Sequence, residues 1–469
     1  MKQFYPILYP QPHELARSPH YRVWINGEEA PVLHSGVAAL VCFATDGPVS
    51  VRVEIAWGDP HHVVLRPLAK GCACLLDHNV LTFEMDGPGQ CVADFDTHRE
   101  RSIYFFADPL AATEPPPEDG RSWRTFEAGK VHDIGELMLA PDENCWIPAG
   151  AVVRGSLLAK GVRGTVIRGP GILLGDFQTA LGPMAVCDGR LRPTCQLAAC
   201  EDVELRDLLV LDSRAWTTVV VAGENIRLRN HKVVTWSICD DGLDIVGSKN
   251  VSVSDSFICS RDDCVSIKAV DYLPFLAVDG ARDVADIRVE RCVFVNADCG
   301  NGLEVGMEMK TDSVRGIVFR DCDILRVELE GNLSGAALSV HCGNWAAIED
   351  VRFEDIRIEQ ALDKFVDVGV FHSPYDTDTR RGTIRDIRFS RIRLMGNLLP
   401  RSFVRGADAE HPVRGVVFED VAFGSAKYRG FLNALWGIPT TTPPLPERPL
   451  REALRETLVL EHAEAVTVR

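Results

Sequence analysis

The sequence predicts an all-β protein in which an N-terminal β-sandwich is followed by a parallel β-solenoid. Two observations carry this prediction. Between Tyr21 and about Asp108 the chain consists of short runs of alternating apolar and polar residues separated by turn residues, which is typical of a sandwich. Further along, a strand of the form apolar, any residue, apolar recurs at intervals of 23 to 36 residues. A repeat with a constant strand and variable loops is typical of a solenoid.

The predicted domain boundary lies in a stretch rich in proline and acids. Residues 113–120 read Thr-Glu-Pro-Pro-Pro-Glu-Asp-Gly, a composition that stiffens and solvates a chain. We therefore assign residues 1–113 to the sandwich, 114–130 to a linker and 131–469 to the β-helix with a C-terminal tail. Sandwich strands are predicted at 21–25, 49–55, 80–83 and 102–106, and a helix at 449–458 before a strand-like run at 461–468.

Two series of residues accompany the repeated solenoid strand. A polar or charged residue follows the start of each copy by four positions, at Asp207, Asn230, Asp255, Arg291, Asp321, Asp355, Arg391 and Asp420. The next positions are predicted to form an interior ladder at a coil corner, made of Leu208, His231, Ser256, Cys292, Cys322, Ile356, Ile392 and Val421. We expect the ladder cysteines to act as small buried hydrophobes and the histidine to be satisfied within the ladder.

Composition limits the classes of partner. A formal net charge of −17, with basic residues scattered among acids, argues against binding to nucleic acid or to an anionic membrane surface. The N-terminus lacks the apolar core of a secretion signal, which predicts a cytoplasmic protein. Fifteen cysteines at irregular spacing favour reduced thiols over a disulfide framework. The lone Cys72 and Cys74 pair is weak as a metal site, so we expect neither a metal nor a cofactor.

Two pairs of acids are the most informative feature of the chain. Asp262 and Asp263 follow Asp240 and Asp241 at an offset of 22 residues. The apolar pairs behind them keep this offset, with Leu243 over Val265 and Ile245 over Ile267. If 22 residues form one coil, the carboxylates stack on strands roughly 4.8 Å apart. Like charges that close raise the pKa of at least one member, which provides an acid and a base at neutral pH.

Strand alternation around the acids adds two conditions. Because the apolar pairs face inward, Asp244, Ser266 and Lys268 should face solvent. The consecutive Asp262 and Asp263 both reach a substrate only if the chain turns there, near Arg261. A solvated carboxylate ladder or a calcium site is the alternative reading of the acids, since carboxylate oxygens are ligands that Ca²⁺ prefers.

These stretches resemble a known family. Cys239-Asp240-Asp241-Gly242 and Asp262-Asp263-Cys264 resemble the consecutive Asn-Thr-Asp-Gly and Asp-Asp-Cys motifs of the polygalacturonases, glycoside hydrolase family 28. Upstream, Arg192-Pro193, Cys200 and 213–216 match the same family in order. The layout of a sandwich before a helix is also similar to glycoside hydrolase family 49, the dextranases.

The resemblance implies an inverting hydrolase on a right-handed parallel β-helix. In that reading Asp262 is the general acid, and Asp241 and Asp263 are the bases that activate water. Inversion requires carboxyl groups roughly 6.5 to 9.5 Å apart, so that a water molecule fits beneath the sugar. A diagonal between adjacent coils is expected to supply about this distance.

The chain departs from the family at two places. Asn301 replaces the histidine of the Gly-His-Gly motif, and an amide cannot titrate. Ser339-Val340-His341 aligns with an Arg-Ile-Lys motif whose two cations bind the substrate carboxylate. Losing both cations leaves a galacturonide without its charge partner, so the identity of the sugar stays open.

Several residues around the acids are predicted to bind substrate rather than to react. They are Asp240, Lys268, Asn301, Glu304, His341 and the aromatic Trp236, with Trp345 as a second candidate sugar platform. The predicted function is exo-acting hydrolysis of oligosaccharides derived from polysaccharides, because a cytoplasmic enzyme would act on imported fragments. The insertion at 270–282 is a candidate for closing one end of a cleft. Two alternatives stay open: a calcium-dependent polysaccharide lyase with Lys268 as its base, and a β-helix that binds glycans without catalysis.

Overall fold

A computed structural model of the chain describes residues 5–36, 38–96, 98–176, 191–271, 273–328, 330, 334–395, 399–423, 448–449, 454 and 456–469. It confirms the all-β prediction. A six-stranded sheet and a five-stranded sheet form the N-terminal sandwich, and a 30-stranded sheet forms a parallel β-helix. Among the described residues, helix is confined to short pieces: 3₁₀ turns at Leu68–Lys70 and Leu110–Thr113, and helical geometry at Leu454, Glu456 and Thr457. In the part of the chain described here, no helix is long and apolar enough to cross a membrane.

Eleven strands build the sandwich. They are β1 Ile7–Leu8, β2 Tyr21–Ile25, β3 Glu28–Ala30, β4 Leu33–His34, β5 Ala39–Ala44, β6 Val49–Ile55, β7 Val63–Arg66, β8 Cys74–Asp77, β9 Val80–Met85, β10 Gly89–Phe95 and β11 His98–Asp108. One sheet has the order β1-β5-β11-β10-β7 with β4 beside β5, and the other β3-β2-β6-β9-β8. All four predicted runs lie in strands. Burial alternates in β2, β6 and β9, which directs their apolar residues between the sheets. The run 102–106 in β11 is buried on both faces, because Ile103 and Phe105 face the sandwich core while Tyr104 and Phe106 face the solenoid.

Thirty further strands build the solenoid. They are β12 Ser122–Thr125, β13 Val131–Met138, β14 Glu143–Trp146, β15 Val152–Lys160, β16 Val166–Arg168, β17 Ile172–Leu174, β18 Cys195–Ala198, β19 Glu204–Arg206, β20 Leu209–Leu211, β21 Thr218–Val221, β22 Glu224–Arg229, β23 Lys232–Val234, β24 Leu243–Val246, β25 Lys249–Ser254, β26 Phe257–Ser260, β27 Val265–Ala269, β28 Val284–Glu290, β29 Val293–Asn296, β30 Leu303–Met309, β31 Ser313–Arg326, β32 Ala336–Cys342, β33 Ala347–Ile358, β34 Lys364–Val370, β35 Thr383–Leu394, β36 Arg401–Arg405, β37 Val413–Phe423, β38 Arg448–Pro449, β39 Leu458–Glu461, β40 Ala463–Glu464 and β41 Thr467–Val468. Strand β12 pairs with β14, so solenoid pairing begins inside the stretch assigned to a linker.

The C-terminal prediction is met only in part. Half of the helix predicted at 449–458, residues 450–453 and 455, lies outside the described residues. Helical geometry is present at Glu456 and Thr457, and strand β39 begins at Leu458. The strand-like run at 461–468 is divided among the end of β39, β40 and β41, which pair in parallel with β36 and β37.

The offset of 22 residues is confirmed as one coil. Strands β24 and β27 pair in parallel with Leu243 opposite Val265 and Ile245 opposite Ile267. All four side chains are fully buried in the solenoid core. Outward-facing positions of successive coils form a continuous column, whose members are Asp244, Ser266, Glu304, Ser339 and Asp367.

The coil corners explain the two residue series. Every member of the polar series has a positive φ, between 49° at Asn230 and 60° at Asp207. Asp and Asn tolerate this left-handed conformation best among residues with a Cβ, which accounts for their share of the series. The neighbouring series is buried at every coil, so the predicted interior ladder is confirmed. Within it His231 accepts or donates a hydrogen bond at 2.9 Å from Thr218.

The sandwich lies against the solenoid through a shared apolar cluster. Side chains from β5 and β11, such as Leu40 and Phe106, pack on Val234, Phe257 and other residues of β17, β20, β23 and β26. At the same junction the buried ammonium of Lys232 lies 2.5 Å from Asp108. The sandwich therefore covers the face of the solenoid formed by β17, β20, β23 and β26.

Candidate active site

The two acid pairs occupy the turns that lead into β24 and β27. The chain bends at Arg261 and Asp262, as the sequence requires if both acids of the second pair are to face the same site. One carboxylate oxygen from each of Asp241, Asp262 and Asp263 lies within 4.8 Å of the other two. The three predicted catalytic residues are thus brought together.

Their spacing differs from the sequence expectation. A separation of roughly 6.5 to 9.5 Å was expected between the acid and its base, whereas the oxygens of this cluster lie within 4.8 Å of one another. The reason is that the pairs stand in turns stacked directly over each other, since Gly242 N–H donates to the Asp263 carbonyl at 2.8 Å. The acids therefore do not lie diagonally across adjacent coils, as the sequence analysis expects.

Asp240 supports the turn instead of contacting substrate, which corrects its predicted role. Its side chain is fully buried, and its two oxygens accept hydrogen bonds from three backbone N–H groups: Ser237 at 2.5 Å, Asp262 at 3.1 Å and Arg261 at 3.2 Å. Burial raises the pKa of Asp240 well above its usual value. The carboxyl group joins one coil to the catalytic turn of the next.

Asp262 has the environment of a general acid. Burial first, and then the negative charge of Asp241, raise the pKa of Asp262 to about 7. Lys268 and the N–H of Asp263, which donates to Asp262 Oδ1 at 3.0 Å, oppose this rise. A carboxyl group with this pKa is protonated in a substantial fraction of molecules at neutral pH.

Lys268 is buried, which corrects the prediction that it faces solvent with Asp244 and Ser266. Its Nζ lies 2.7 Å from Asp241, 3.3 Å from Asp244 and 3.9 Å from Asp263. These side chains do point out of the solenoid core, but Asp244 and Ser266 are fully covered and Lys268 is only 5% exposed. Burial opposes the charged form, yet Asp241 and Asp244 outweigh it and raise the pKa of Lys268.

An aromatic ring covers the other side of this lysine. Lys268 Nζ lies 4.1 Å from the ring centroid of Trp216, a cation–π distance. Trp216 in turn contacts Phe275 of the 270–282 insertion edge to face, with ring centroids 5.0 Å apart. The insertion therefore packs beside the acid cluster, where it excludes water from the lysine.

Asp263 is held by a buried amide. The backbone N–H and the Nδ2 of Asn301 both donate to Asp263 Oδ1, at 2.6 and 3.1 Å. The same Nδ2 donates to Glu304 Oε2 at 2.5 Å, while Asn301 Oδ1 accepts from the N–H of Ala336. Burial, followed by the charge of Glu304, raises the pKa of Asp263 well above its usual value.

A histidine continues this chain of contacts across two further coils. His341 Nδ1 lies 2.8 Å from Glu304 and its Nε2 lies 3.7 Å from Asp367, which accepts a hydrogen bond from Arg405 at 3.0 Å. Burial alone would lower the pKa of His341, but the two carboxylates raise it to about 9. The same contacts outweigh burial at Glu304 and lower its pKa.

The predicted substrate contacts of this chain are therefore corrected. Asn301, Glu304 and His341 are each only 1% exposed, so their side chains support Asp263 from behind and do not present a surface to a sugar. Ser339 is also fully buried. The alternation of strands β30 and β32 directs these residues outward, but neighbouring coils cover them.

The two predicted tryptophan platforms lie elsewhere. Trp236 follows β23 at the junction with the sandwich, where it packs on the shared apolar cluster. The ring of Trp345 is covered by the guanidinium of Arg380, 3.5 Å from its centroid. Both tryptophans lie in turns, where local packing sets the position of the ring. The strand repeat does not specify the conformation of the turns, so it could not predict these positions.

Four residues near the cluster escape sequence reasoning. Cys299 Sγ lies 3.5 Å from Asp262 Oδ2, and Glu330 accepts the N–H of Gly300 at 2.5 Å. Tyr375 is 78% exposed, and partial burial of its hydroxyl, followed by the charges of Glu308 and Asp262, raises its pKa. These three stand in turns of irregular length, so no register marks them. Asp367 could have been predicted from the strand register, because it pairs with Ser339 and occupies the next position in the outward-facing column.

The acid cluster also has the chemistry of a cation site. Three carboxylates within 4.8 Å supply hard oxygen ligands. Ca²⁺ takes 6 to 8 oxygens, however, and the Lys268 ammonium already lies 2.7 Å from Asp241. The donor set fits a divalent ion poorly.

Comparison with known proteins places this geometry in a family. Residues 150–428 match the sequence profile of Glycosyl hydrolases family 28. An exopolygalacturonase of Platanus acerifolia is 26% identical over 254 residues, which cover 50% of this chain and 59% of the relative. An exopolygalacturonase of Arabidopsis thaliana is 25% identical over 228 residues, 47% and 48% of the two chains. The match thus spans about half the length of these relatives.

Solved structures agree on the fold. A hyperthermoactive exopolygalacturonase from Thermotoga maritima superposes with a TM-score of 0.52 at 15% identity, covering 66% of this chain and 81% of the other. Dex49A from Penicillium minioluteum gives 0.53 at 11% identity and covers 82% and 90%. The longer coverage confirms a two-domain layout similar to family 49. On the profile match, which takes in both acid pairs, the chain belongs to glycosyl hydrolases family 28.

Proposed function

We propose that the protein hydrolyses glycosidic bonds, with Asp262 as the general acid and Asp241 as the base that activates water. One observation carries this proposal: a carboxyl group whose pKa is raised to about 7 lies beside carboxylates from the same and the adjacent coil. Such a pair holds an acid and a base together at neutral pH. Asp241 is assigned as the base because it accepts the Lys268 ammonium at 2.7 Å.

The reaction follows from these positions. The Asp262 carboxyl donates its proton to the glycosidic oxygen, which leaves with the electron pair of the broken carbon–oxygen bond. A water molecule in contact with Asp241 and Asp263 loses a proton to Asp241 as its oxygen attacks the anomeric carbon. Asp263, held by Asn301, orients this water.

We propose inversion at the anomeric carbon, following the family resemblance. The 4.8 Å cluster leaves little room for water directly between acid and base. The attacking water is therefore proposed to lie beneath the anomeric carbon, on the face of the sugar opposite the leaving oxygen, in contact with Asp241 and Asp263. The anomeric configuration of the first product shows directly whether the reaction inverts.

The proposed substrate is an oligosaccharide whose sugar at the cleavage site is neutral. Ser339 and His341 stand where the family resemblance expects two cations, and both are buried. The imidazolium of His341 is already compensated by Glu304 and Asp367. A uronate carboxylate at this subsite finds no free cation in either residue.

Exo action is proposed from the insertion beside the cluster. Phe275 and Leu276 are buried against the solenoid, and Gln196 donates to the Phe275 carbonyl at 3.1 Å. An insertion packed in this way beside Lys268 is consistent with a substrate cleft that is closed at one end. The two relatives named exopolygalacturonases support the same mode.

The decisive experiment is a panel of neutral and acidic oligosaccharides incubated with the protein and with Asp262→Asn, with anomeric configuration followed by NMR. We expect an inverted product from a neutral oligosaccharide, and a loss of turnover on the order of 10²–10⁴-fold in Asp262→Asn. Asp386→Asn, at an exposed corner of the solenoid, is the matched control and should keep full activity. A retained configuration would refute inversion, and an unsaturated product abolished by a chelator would point to a lyase. Equal turnover of both variants would remove Asp262 from the mechanism.

A further inference from the structure

A second carboxyl group lies directly behind the proposed base. Asp244 lies in β24, three residues after Asp241, and its side chain is fully buried. Ser266 of the next coil donates to Asp244 Oδ1 at 2.7 Å, and its hydroxyl also lies 3.4 Å from Asp241 Oδ2. The two carboxyl groups are within hydrogen-bond reach of each other. They therefore share one hydroxyl donor in a space that is closed to solvent.

One ammonium group lies beside these two carboxyl groups. Lys268 Nζ lies 2.7 Å from Asp241 Oδ2 and 3.3 Å from Asp244 Oδ1. In the part of the chain that the structure describes, Lys268 is the sole cation within 4.0 Å of either group. Two carboxylates in contact repel each other strongly where water is excluded, so one member of such a pair keeps its proton.

The contacts differ between the two members of this pair. Asp241 makes the shorter contact with the ammonium, which favours its ionised form. Asp244 Oδ2 is buried and receives no hydrogen bond from any described residue. A protonated carboxyl carries its own donor, so it needs an acceptor such as Asp241. Burial, followed by the charge of Asp241, raises the pKa of Asp244 well above its usual value.

The surrounding charges favour the same member. On the other side of Asp244 its partner in β21 is the apolar Val219, which supplies no compensating group. Four further acids act through their charges on Asp241 or Lys268, namely Asp262, Asp263, Glu304 and Glu308. The nearby imidazolium of His341 is already paired with Glu304 and Asp367. A proton on Asp244 therefore removes one negative charge from a region that has too many.

We propose that Asp244 stays protonated at neutral pH and donates its O–H to Asp241, which keeps Asp241 ionised and fixes its orientation toward the attacking water. Asp244 is then a positioning residue, which acts through Asp241 and does not contact the sugar. This role rests on the proposed function, whereas the location of the proton does not. During turnover Asp244 keeps its proton, while Asp241 takes one from water.

Infrared difference spectroscopy of the full chain measures this proton directly. A protonated carboxyl group has a C=O stretching band that a carboxylate lacks, and we expect Asp244→Asn to lose one such band at neutral pH. Asp386→Asn, at an exposed corner, is the matched control and should lose only the bands of a carboxylate. An Asp244→Asn difference spectrum that also shows only the loss of a carboxylate would overturn the proposal. This measurement does not depend on whether the chain cleaves any glycan.

Kinetics test the hydrogen bond to Asp241. Asp244→Leu keeps an uncharged side chain without a donor and should lower kcat by about 10- to 100-fold, because a hydrogen bond to a charged group is lost. The acidic limb of its pH–rate profile should move to higher pH, since the ionised form of the base is less well stabilised. Loss of packing alone would not move this limb. Asp244→Asn keeps a donor in Nδ2, so it should recover most of the turnover and return the limb toward its original pH.

The outcomes separate this proposal from the hydrolase proposal. Circular dichroism melts establish that each variant is folded. Equal losses of turnover in Asp244→Asn and Asp244→Leu, or an acidic limb that moves in neither, would overturn the role of Asp244 as a donor. Full turnover in Asp241→Asn would instead refute the assignment of the base, and the infrared result for Asp244 would still stand.

Discussion

At the scale of single residues, burial and charge divide the acids near the cleft into different roles. Asp240 is satisfied by backbone N–H groups and supports a turn, whereas Asp262 has few compensating donors and its pKa is raised to about 7. Lys268 and His341 supply the two buried cations that keep this many carboxylates together. Without them the like charges would repel strongly at low dielectric.

The first residue-scale prediction concerns the pH dependence of activity. The proposed mechanism requires the acid form of Asp262, whose pKa is raised to about 7, so kcat/KM should fall as the pH rises through about 7. Glu330 is one of the charges that raise this pKa. In Glu330→Gln the amide oxygen can still accept the Gly300 N–H, while the charge is lost, so the basic limb should move to lower pH. If the basic limb of the pH–rate profile of Glu330→Gln stays at the same pH, that limb reports the titration of a group other than Asp262.

The second prediction concerns the stability that His341 provides. His341→Asn leaves Glu304 and Asp367 without their shared cation, and breaking a buried ion pair costs about 3–5 kcal/mol. Urea unfolding should show this loss at pH 6.5, with the exposed His78→Ala as the control. A loss below about 1 kcal/mol would mean that Arg405 alone compensates Asp367.

The same histidine predicts how stability varies with pH. Its pKa is raised from 6.5 to about 9 on folding. Its contribution is therefore fully present below pH 6.5 and is lost as the pH rises through about 9. The unfolding free energy of the unaltered chain should fall over this range more steeply than that of His341→Asn. Parallel curves would contradict a charged histidine in the folded state.

At the scale of the element, the solenoid is held by ladders of identical positions. Phe319, Phe353, Phe389 and Phe418 stack in consecutive coils with centroids 5.0, 5.0 and 4.9 Å apart. All four rings are fully buried. Each of these four coils thus contributes one ring and one corner residue, and its stability depends on its neighbours.

This ladder predicts a difference between interior and terminal rungs. Phe353→Ala removes a ring with two stacked neighbours and should cost about 3–5 kcal/mol. Phe418→Ala removes a ring with one, and should cost less by about 0.5–1.5 kcal/mol, the value of one aromatic pair. Urea unfolding midpoints measure both, with Phe353→Leu as a control that retains apolar volume. Equal losses would indicate that burial alone, and not stacking, stabilises the ladder.

At the scale of the whole molecule, the two domains are joined by apolar packing and by buried charges. Asp108 at the end of β11 receives Lys232 at 2.5 Å, Asn230 at 2.7 Å and Tyr9 at 3.1 Å. Arg66 of the sandwich pairs with the buried Glu359 of the solenoid. These contacts bind the sandwich to the face of the solenoid that leads into the catalytic turns.

Removing the charge at this junction should loosen the domains. Lys232→Met leaves Asp108 buried and unpaired, a loss of about 3–5 kcal/mol. In the double variant Lys232→Met with Asp108→Asn no charge is left, and most of the loss should be recovered while Tyr9 keeps an acceptor. Urea unfolding and limited proteolysis of the 114–121 stretch report the effect. A double variant as unstable as the single one would show that Lys232 stabilises through packing.

The parts of the structure that depend on local pattern were predictable. The offset of the acid pairs, the inward apolar pairs and the corner ladder all follow from a repeat in which each strand is held by the next. Burial of Lys268, Asn301, Glu304 and His341 was not predictable. An outward position in one coil becomes covered only when neighbouring coils, turns and the 270–282 insertion close over it.

The sequence by itself determined the all-β class, the coil of 22 residues and the meeting of Asp241, Asp262 and Asp263, because strand alternation and coil period are local properties. Only the tertiary structure decided the 4.8 Å spacing of the acids, the supporting roles of Asp240 and His341, and the position of Trp236 at a domain junction. These depend on which turns and which domain pack beside each coil. Burial and neighbouring charge act through space, so no interval along the chain encodes them.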